Sequence, residues 1–422
     1  MAKQTKEIGD GELDALLVRR FMSYARVCTE SERRVEKTPS TEGQWDLARK
    51  LVGELEALGL KDVYLSDHCY VVARLPASPG LEGAPTIGFL AHMDTTADVT
   101  GAGVNPRLVE SYDGRRIELA GGLALDPALE PGLAEQKGKA IIHADGTTLL
   151  GADDKAGIAA IMGAVEYLAG NPDIPRGPLE IIFTPDEETG KHLPEFPRDK
   201  VKSVACYTLD GGPAGEIEAE CFNAWKADVE FKGKAIHVGA ARGILANAAL
   251  MAATFATALP RSESPEATDG YYGYYCPLEI KGALESAWLE VFLRDFDSEG
   301  IKRRIAALEA IARAVEAQFP GGKVEVKPAL QYSNMKEKID ENPRVMEFLI
   351  SAMENVGREW RLKPIRGGTD GSALTAMGIP TPNIFTGGRN YHSRLEWLSV
   401  SELRDACRVV IELARLWGTA KA

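Results

Sequence analysis

Five short motifs in this 422-residue chain carry side chains that hold metal ions or move protons. They are His92-Met93-Asp94, Gly151-Ala152-Asp153-Asp154-Lys155, Asp186-Glu187-Glu188, Leu209-Asp210-Gly211-Gly212 and Asn390-Tyr391-His392. A two-zinc hydrolase needs two histidines, three carboxylates and one further glutamate, and these motifs can supply them. Imidazole and carboxylate both suit zinc, and cobalt or manganese accept a similar set.

Two metals about 3.5–4 Å apart need a bridging carboxylate, and each then needs terminal ligands. Asp153 is the best bridge, because it sits in a tight loop that opens a helix and can face two ions. His92 and Asp210 can complete one ion, and Glu188 and His392 the other. Asp94 lies two residues after His92, where its carboxylate can accept the far ring N–H and fix the tautomer. Glu187 adjoins a ligand without needing to be one. A carboxylate in that place is the general base for metal-assisted hydrolysis and can return the proton to a leaving amine.

Taken singly, each motif has an ordinary explanation. Asp153-Asp154 can cap a helix, where acids are favoured. Asp210 before two glycines is a turn signal. Asp-Glu-Glu reads as a solvated turn, and His392 as a loop histidine. What argues against five coincidences is their order and their place at strand ends. The histidines His68, His143 and His192 lie in plain polar contexts and read as surface residues.

The elements that must position these residues follow from periodicity. Residues 1–10 read as a polar leader, and a helix covers about 11–27. Thr41-Glu42-Gly43-Gln44 matches a capping box. Ala48, Leu51, Val52, Leu55 and Leu58 follow at helical spacing, and Gly59 ends the run. Strands are predicted over Tyr70–Leu75, Thr86–Ala91, Leu179–Thr184 and Val204–Thr208, with a helix over Lys155–Leu168. Strands alternating with helices give an α/β fold, a mixed and mostly parallel sheet covered by helices on both faces. Ligands collect beyond the carboxyl ends of such strands, and three of the five motifs sit there.

After about residue 222 the pattern changes. Strands at Lys226–Lys232, Trp288–Arg294 and Lys323–Val326 and helices at Ala246–Ala258 and Ile301–Phe319 describe an inserted α+β domain. The reading is therefore a catalytic metal domain of residues 1–221 and 331–422, and an inserted lid of residues 222–330. A homodimer is one assembly that the lid strands would allow.

Bulk properties exclude several classes. With 422 residues, two domains are expected. A formal net charge of −13 with no long basic run argues against a nucleic-acid partner. No stretch has the length of a membrane span, and the first twenty residues lack the apolar core of a signal peptide. Six dispersed cysteines without C-x-x-C spacing fit a reducing cytoplasm.

The chain resembles the peptidase T family, the aminotripeptidase branch of the dinuclear-zinc exopeptidase and deacylase superfamily. The likeness runs from Pro39-Ser40-Thr41-Glu42-Gly43-Gln44-Trp45 to the final helix. It is carried by Leu149-Leu150-Gly151-Ala152-Asp153-Asp154-Lys155-Ala156-Gly157-Ile158, by Phe183-Thr184-Pro185-Asp186-Glu187-Glu188, by Pro364-Ile365-Arg366-Gly367-Gly368-Thr369-Asp370-Gly371 and by Phe385-Thr386-Gly387-Gly388. The resemblance implies a peptidase acting on short peptides with a free N-terminus. It implies two zinc ions held by His92, Asp153, Glu188, Asp210 and His392, with Asp153 bridging and a cis peptide after it. It implies Asp94 as the orienting residue and Glu187 as the acid/base. In the lid, His237 matches a histidine that polarises the scissile carbonyl. Asn247, Arg294 and Arg366 match contacts to the substrate backbone and its C-terminal carboxylate, which an arginine fork suits.

The chain departs from the family at Val238, where a proline is usual, and at Arg389, where an aromatic is usual. Ser393-Arg394 replaces glycine-lysine. Arg389 and Arg394 are expected to add positive charge near the metals and so bear on side-chain preference. On the same metal core the rival activities are dipeptidase, carboxypeptidase and N-acyl amino-acid deacylase. A non-catalytic peptide-binding protein is the remaining alternative.

Overall fold

The computed structural model describes residues 9–420. The leader predicted over residues 1–10 falls almost wholly outside them. The described chain divides into two units. The first takes the chain up to Ala219, then Glu337–Lys363, then the chain from Thr369 onward; the second takes Glu220–Lys336 and Pro364–Gly368.

The first unit is built on an eight-stranded mixed sheet. Its order is Lys61–Leu65, Val71–Leu75, Leu179–Thr184, Ile87–His92, Ala205–Gly211, Asn383–Phe385, Glu216–Glu218 and Arg361–Leu362. Four neighbours in the middle, from Leu179–Thr184 to Asn383–Phe385, run parallel. Strands covered on both faces need unbroken apolar runs. Ile87–Ala91 supplies one, and Leu179–Thr184 is apolar except for Glu180 and the terminal Thr184. Every position in Ile87–His92 and Leu179–Thr184 is buried, the Glu180 carboxylate being satisfied by Arg74 and by the amides of Lys202 and Ser203. Alternate residues then enter opposite layers. Phe89, Ile181 and Tyr207 join one cluster, and Leu90, Ile182 and Cys206 the other.

The two covers are unequal. Helices Asp10–Ala25, Gly43–Ala57, Ala152–Gly170, Pro343–Asn355 and Val400–Thr419 all contribute to the first cluster. The second is closed by the short helix Asp370–Ala376 and by Leu193, Phe196 and Val201. Helix Ala152–Gly170 is apolar on nearly all sides and correspondingly buried. A Cβ at Gly157 would lie 2.0 Å from the Leu209 carbonyl oxygen, so only glycine lets this helix start against strand Ala205–Gly211. That approach brings Asp153 beside Asp210.

Three local expectations are corrected. Strand Ala205–Gly211 runs on through Asp210, which is therefore in the strand and not after it. The capping box at Thr41 does not form: helix Gly43–Ala57 has Glu42 at its N-cap with no side-chain cap. The Thr41 hydroxyl donates to the Glu30 carbonyl, and Gln44 donates to the Asp186 carboxylate at 2.7 Å while accepting from the Asp186 amide. Gln44 is wholly buried, and its side-chain oxygen, which a capping box would turn to the Thr41 amide, accepts from the Asp186 amide instead. His143 is buried, not on the surface, because strand Ile141–His143 is paired on both sides in a second, four-stranded sheet. Its Nδ1 donates to the Ala144 carbonyl at 2.6 Å. His68 and His192 are half-buried.

The second unit is an antiparallel sheet in the order Tyr274–Gly282, Ser286–Asp295, Asn223–Lys232, Lys323–Tyr332. Strand Asn223–Lys232 alternates as its sequence suggests: Ala227, Val229 and Phe231 pack with helices Ala248–Ala258 and Ser298–Gln318. Strand Tyr274–Gly282 had no clear signal, since its outer half is exposed on both sides.

Candidate metal centre

Three of the five motifs meet at one edge of the sheet because parallel neighbours end on the same side. His92 closes Ile87–His92, Glu187 and Glu188 follow Leu179–Thr184, and Asp210 lies at the end of Ala205–Gly211. Asp153 stands where helix Ala152–Gly170 begins, at two residues with non-helical backbone. The Asp153–Asp154 peptide is cis. His392 comes from the loop between Gly388–Arg389 and Trp397–Ser399.

These side chains form two triads that share Asp153. His92 Nε2 lies 2.9 Å from Asp153 Oδ1 and 3.6 Å from Asp210 Oδ1. His392 Nε2 lies 3.2 Å from Asp153 Oδ2 and 2.9 Å from Glu188 Oε1. Within each triad the donor atoms are within 4.8 Å of one another. Asp153 thus turns one oxygen to each histidine, as a bridge must. Glu188 Oε1 is buried with no hydrogen-bond donor aligned on it, although His392 Nε2 is close.

The electrostatics fit a pair of cations. Asp153, Glu187, Glu188 and Asp210 are four acids facing two imidazoles. Burial pushes Glu188 up to about 7 and Asp210 up to about 6, and it holds Glu187 well above the usual carboxylate range. Burial acts in the same direction on Asp153, but hydrogen bonds to His392 and His92 outweigh it and hold that carboxyl below its ordinary value. The carboxylates of Asp153 and Glu188, close on either side of its Nε2, push His392 up to about 11. Burial works against protonation of His92, yet its contacts with Asp153, Asp210 and Asp94 leave it well above the ordinary value. Protons balance the buried negative charge here. Divalent ions would take their place and leave every group in its ligating form.

Asp94 does two things. His92 Nδ1 donates to the Asp94 carbonyl oxygen at 3.0 Å and lies 3.4 Å from the carboxylate. The carboxylate itself accepts from the amides of Glu187 and Glu188 at 3.0 and 3.1 Å. The backbone therefore sets the tautomer, leaving Nε2 to face Asp153, while the side chain fixes the Glu187-Glu188 turn.

The four substrate-contact candidates all lie in the second unit. His237 is exposed, and its Nδ1 accepts from the Gly239 amide at 3.2 Å. Asn247 caps helix Ala248–Ala258 through the Leu250 amide. Arg366 donates to the carbonyls of Gly270, Tyr272 and Thr268 and to the Thr268 hydroxyl, and it stacks on Phe222. Arg294 is different. It is buried between the rings of Phe292 and Tyr332, donates to the carbonyl oxygens of Trp225 and Leu293, and has no carboxylate partner among the described residues.

The expected free charge at Arg389 is not found. It donates to Glu402 at 2.8 Å and stacks on Trp397. Arg394 is exposed.

Sequence reasoning overlooked several supporting residues. The Asp154 carboxylate accepts from the His92 amide and from Gly157, each at 3.2 Å. Asn383 Oδ1 accepts from the Asp210 amide at 2.9 Å. Asp98 lies 3.5 Å from His392 Nδ1. Glu396 is buried against the Asp153 loop. A lone acid between Leu395 and Trp397 is the one signal that pointed to it.

The fold and the paired triads define a candidate two-cation hydrolase. The family model for "Peptidase family M20/M25/M40" matches residues 132–416, and the chain belongs to that family. It is 46% identical over 403 residues to "Peptidase T" of Geobacillus kaustophilus (strain HTA426), covering 95% of this chain and 98% of that one. It is 45% identical over 399 residues to "Peptidase T" of Clostridium perfringens (strain SM101 / Type A), covering 94% and 98%. The crystal structure of aminopeptidase PepT from Bacillus cereus ATCC 10987 shares the fold with a TM-score of 0.75 at 24% identity, covering 96% of this chain and 98% of that one.

Proposed function

We propose that this protein is a metal-dependent aminopeptidase that releases the N-terminal residue of short peptides, above all tripeptides. The observation that carries this reading is the pair of triads sharing Asp153, with Glu187 beside them. Family membership and the full-length likeness to proteins named "Peptidase T" support it.

His92, Asp153 and Asp210 would hold one ion, and Asp153, Glu188 and His392 the other. Zinc is the first choice for this donor set, with cobalt or manganese as substitutes. When bound, such a pair supplies Lewis acidity that activates water and polarises a carbonyl. The chain's own residues do the rest. Glu187 takes the proton of the attacking water and passes it to the leaving amine. Asp94 keeps Glu187 in place through its amide and His92 in its tautomer.

In this reading the first unit is the catalytic domain and the second is the lid. Arg294, buried without an acidic partner, supplies the fork for a C-terminal carboxylate. His237 supplies a donor to the carbonyl oxygen, and Asn247 and Arg366 line the substrate from the lid. A cytoplasmic setting fits six dispersed cysteines without C-x-x-C spacing, and among the described residues no helix is long and apolar enough to cross a membrane.

The test measures metal content together with hydrolysis of di-, tri- and tetrapeptides and N-acetylated peptides, before and after chelation. Two equivalents of metal, and tripeptide cleavage lost on chelation and restored by zinc, are expected. Preference for blocked substrates would overturn the aminopeptidase reading in favour of a deacylase.

A further inference from the structure

We propose that Glu396 is a positioning residue that locks the loop carrying His392 to the loop carrying Asp153, and so sets the affinity for the shared pair of cations. This rests on the metal reading above. Glu396 is 2% exposed. Its Oε2 accepts from the amides of Leu150 and Gly151 at 2.7 and 2.8 Å, and its Oε1 accepts from the amide of Asp153 at 3.1 Å. Three charge-assisted bonds are what make a buried carboxylate tolerable. They also specify the path of residues 150–153, where Gly151 turns through a left-handed conformation with φ of 79°.

The other end of the link is His392. Glu396 follows it by four residues, and the intervening loop is tied to itself. Asn390 donates to the Leu395 carbonyl at 3.2 Å, Ser393 donates to the Asn390 carbonyl at 2.7 Å, and the Leu395 amide donates to the Ser393 hydroxyl at 3.1 Å. A shift of Glu396 therefore carries His392 with it. On its far side Glu396 joins strand Trp397–Ser399, whose Trp397 is buried and paired with His143. The anchor is thus rigid, and through one carboxylate it fixes how His392 Nε2 meets Asp153 Oδ2, at 3.2 Å. A local helix cap would not need a residue some 240 positions away. Asp154 already occupies the local role by accepting from Gly157.

The experiment titrates zinc into apo-protein against a fluorescent chelator, for the wild type, Glu396→Gln and Glu396→Ala, and follows apo and zinc-loaded melting in parallel. The amide of Glu396→Gln keeps one acceptor oxygen and turns a donor toward a backbone N–H. The weaker of the two zinc affinities should fall by about 10–100-fold in Glu396→Ala and by less in Glu396→Gln. At saturating zinc, kcat should recover while KM stays near the wild-type value. A merely structural role would lower apo melting in both variants and leave the zinc affinity of the folded protein unchanged, which would overturn the proposal. If Glu396→Ala does not fold, the same comparison is decided by Glu396→Gln. Failure of the wild type to bind two equivalents would instead overturn the metal reading itself.

Discussion

The two triads share Asp153 but are built on different foundations. His92 is 2% exposed and ends a central strand. Its ring N–H, its amide and its partner Asp210 are each held by a further residue, namely Asp94, Asp154 and Asn383. His392 is 40% exposed, stands on a loop in a left-handed backbone conformation, and has as its outer partner Asp98, itself 72% exposed. Polar contacts in a buried, fully paired network are worth more than the same contacts in water. The difference teaches that one ion would be held by the sheet and the other by a loop, so the two sites should differ in affinity.

The largest effect should come from removing what the triads have in common. Asp153→Ala should reduce bound metal from two equivalents toward none and bring peptide cleavage to background, read by metal analysis and turnover on the same sample. One tightly bound ion with substantial activity would show that Asp153 is not the bridge. Next comes Glu187→Gln, expected to keep both ions and lower kcat by about 10²–10⁴-fold.

The asymmetry itself is tested by comparing His92→Ala with His392→Ala. Each should hold a single ion, with the ion remaining in His392→Ala the tighter one. Stepwise chelation of the wild type should give an intermediate that has lost one equivalent, and in it the His392 resonances should move before those of His92. Simultaneous loss of both ions would remove the comparison.

Protons give a third measure. In the metal-free protein His392 is pushed up to about 11 by Asp153 and Glu188, and burial pushes Glu188 up to about 7. At pH 7 His392 therefore carries a proton and Glu188 about half of one, which metal must displace. The sign follows: zinc uptake releases protons, and apparent affinity rises as pH is raised from 6 to 8. Calorimetry in buffers of different ionisation enthalpy reads the number released. Proton uptake, or no pH dependence, would contradict the arrangement.

The firmly held half was also the more legible in the sequence. Apolar runs such as Ile87–Ala91 and Ile181–Phe183 declare buried parallel strands, and the candidate ligands sit where those runs stop. What the sequence hid were contacts made across long separations. Nothing local distinguishes Gln44 gripping Asp186 from a helix cap, or shows that Arg389 is neutralised by Glu402. Asp94 illustrates the same limit: its spacing from His92 was informative, but the carbonyl and not the carboxylate makes the aligned bond. In the second unit the residue types of Asn247 and Arg366 were plain, whereas their capping and loop-fastening partners depend on the folded backbone.

The smallest predicted effect is also the most direct reading of the contrast, since it compares the two outer acids. Asp94→Asn keeps the carbonyl that orients His92 but turns an amide toward the backbone N–H groups of Glu187 and Glu188. A buried donor facing a donor is costly, so kcat or metal affinity should fall by about 10–100-fold. Asp98→Asn alters a solvent-screened contact 3.5 Å from His392 Nδ1. Exposed ion pairs contribute about 0–1 kcal/mol, so the expected change is no more than about fivefold, and it should shrink further as salt is raised. Equal losses in the two variants would mean that His392 depends on its outer partner as strongly as His92 does, and that the loop is as firm a foundation as the sheet.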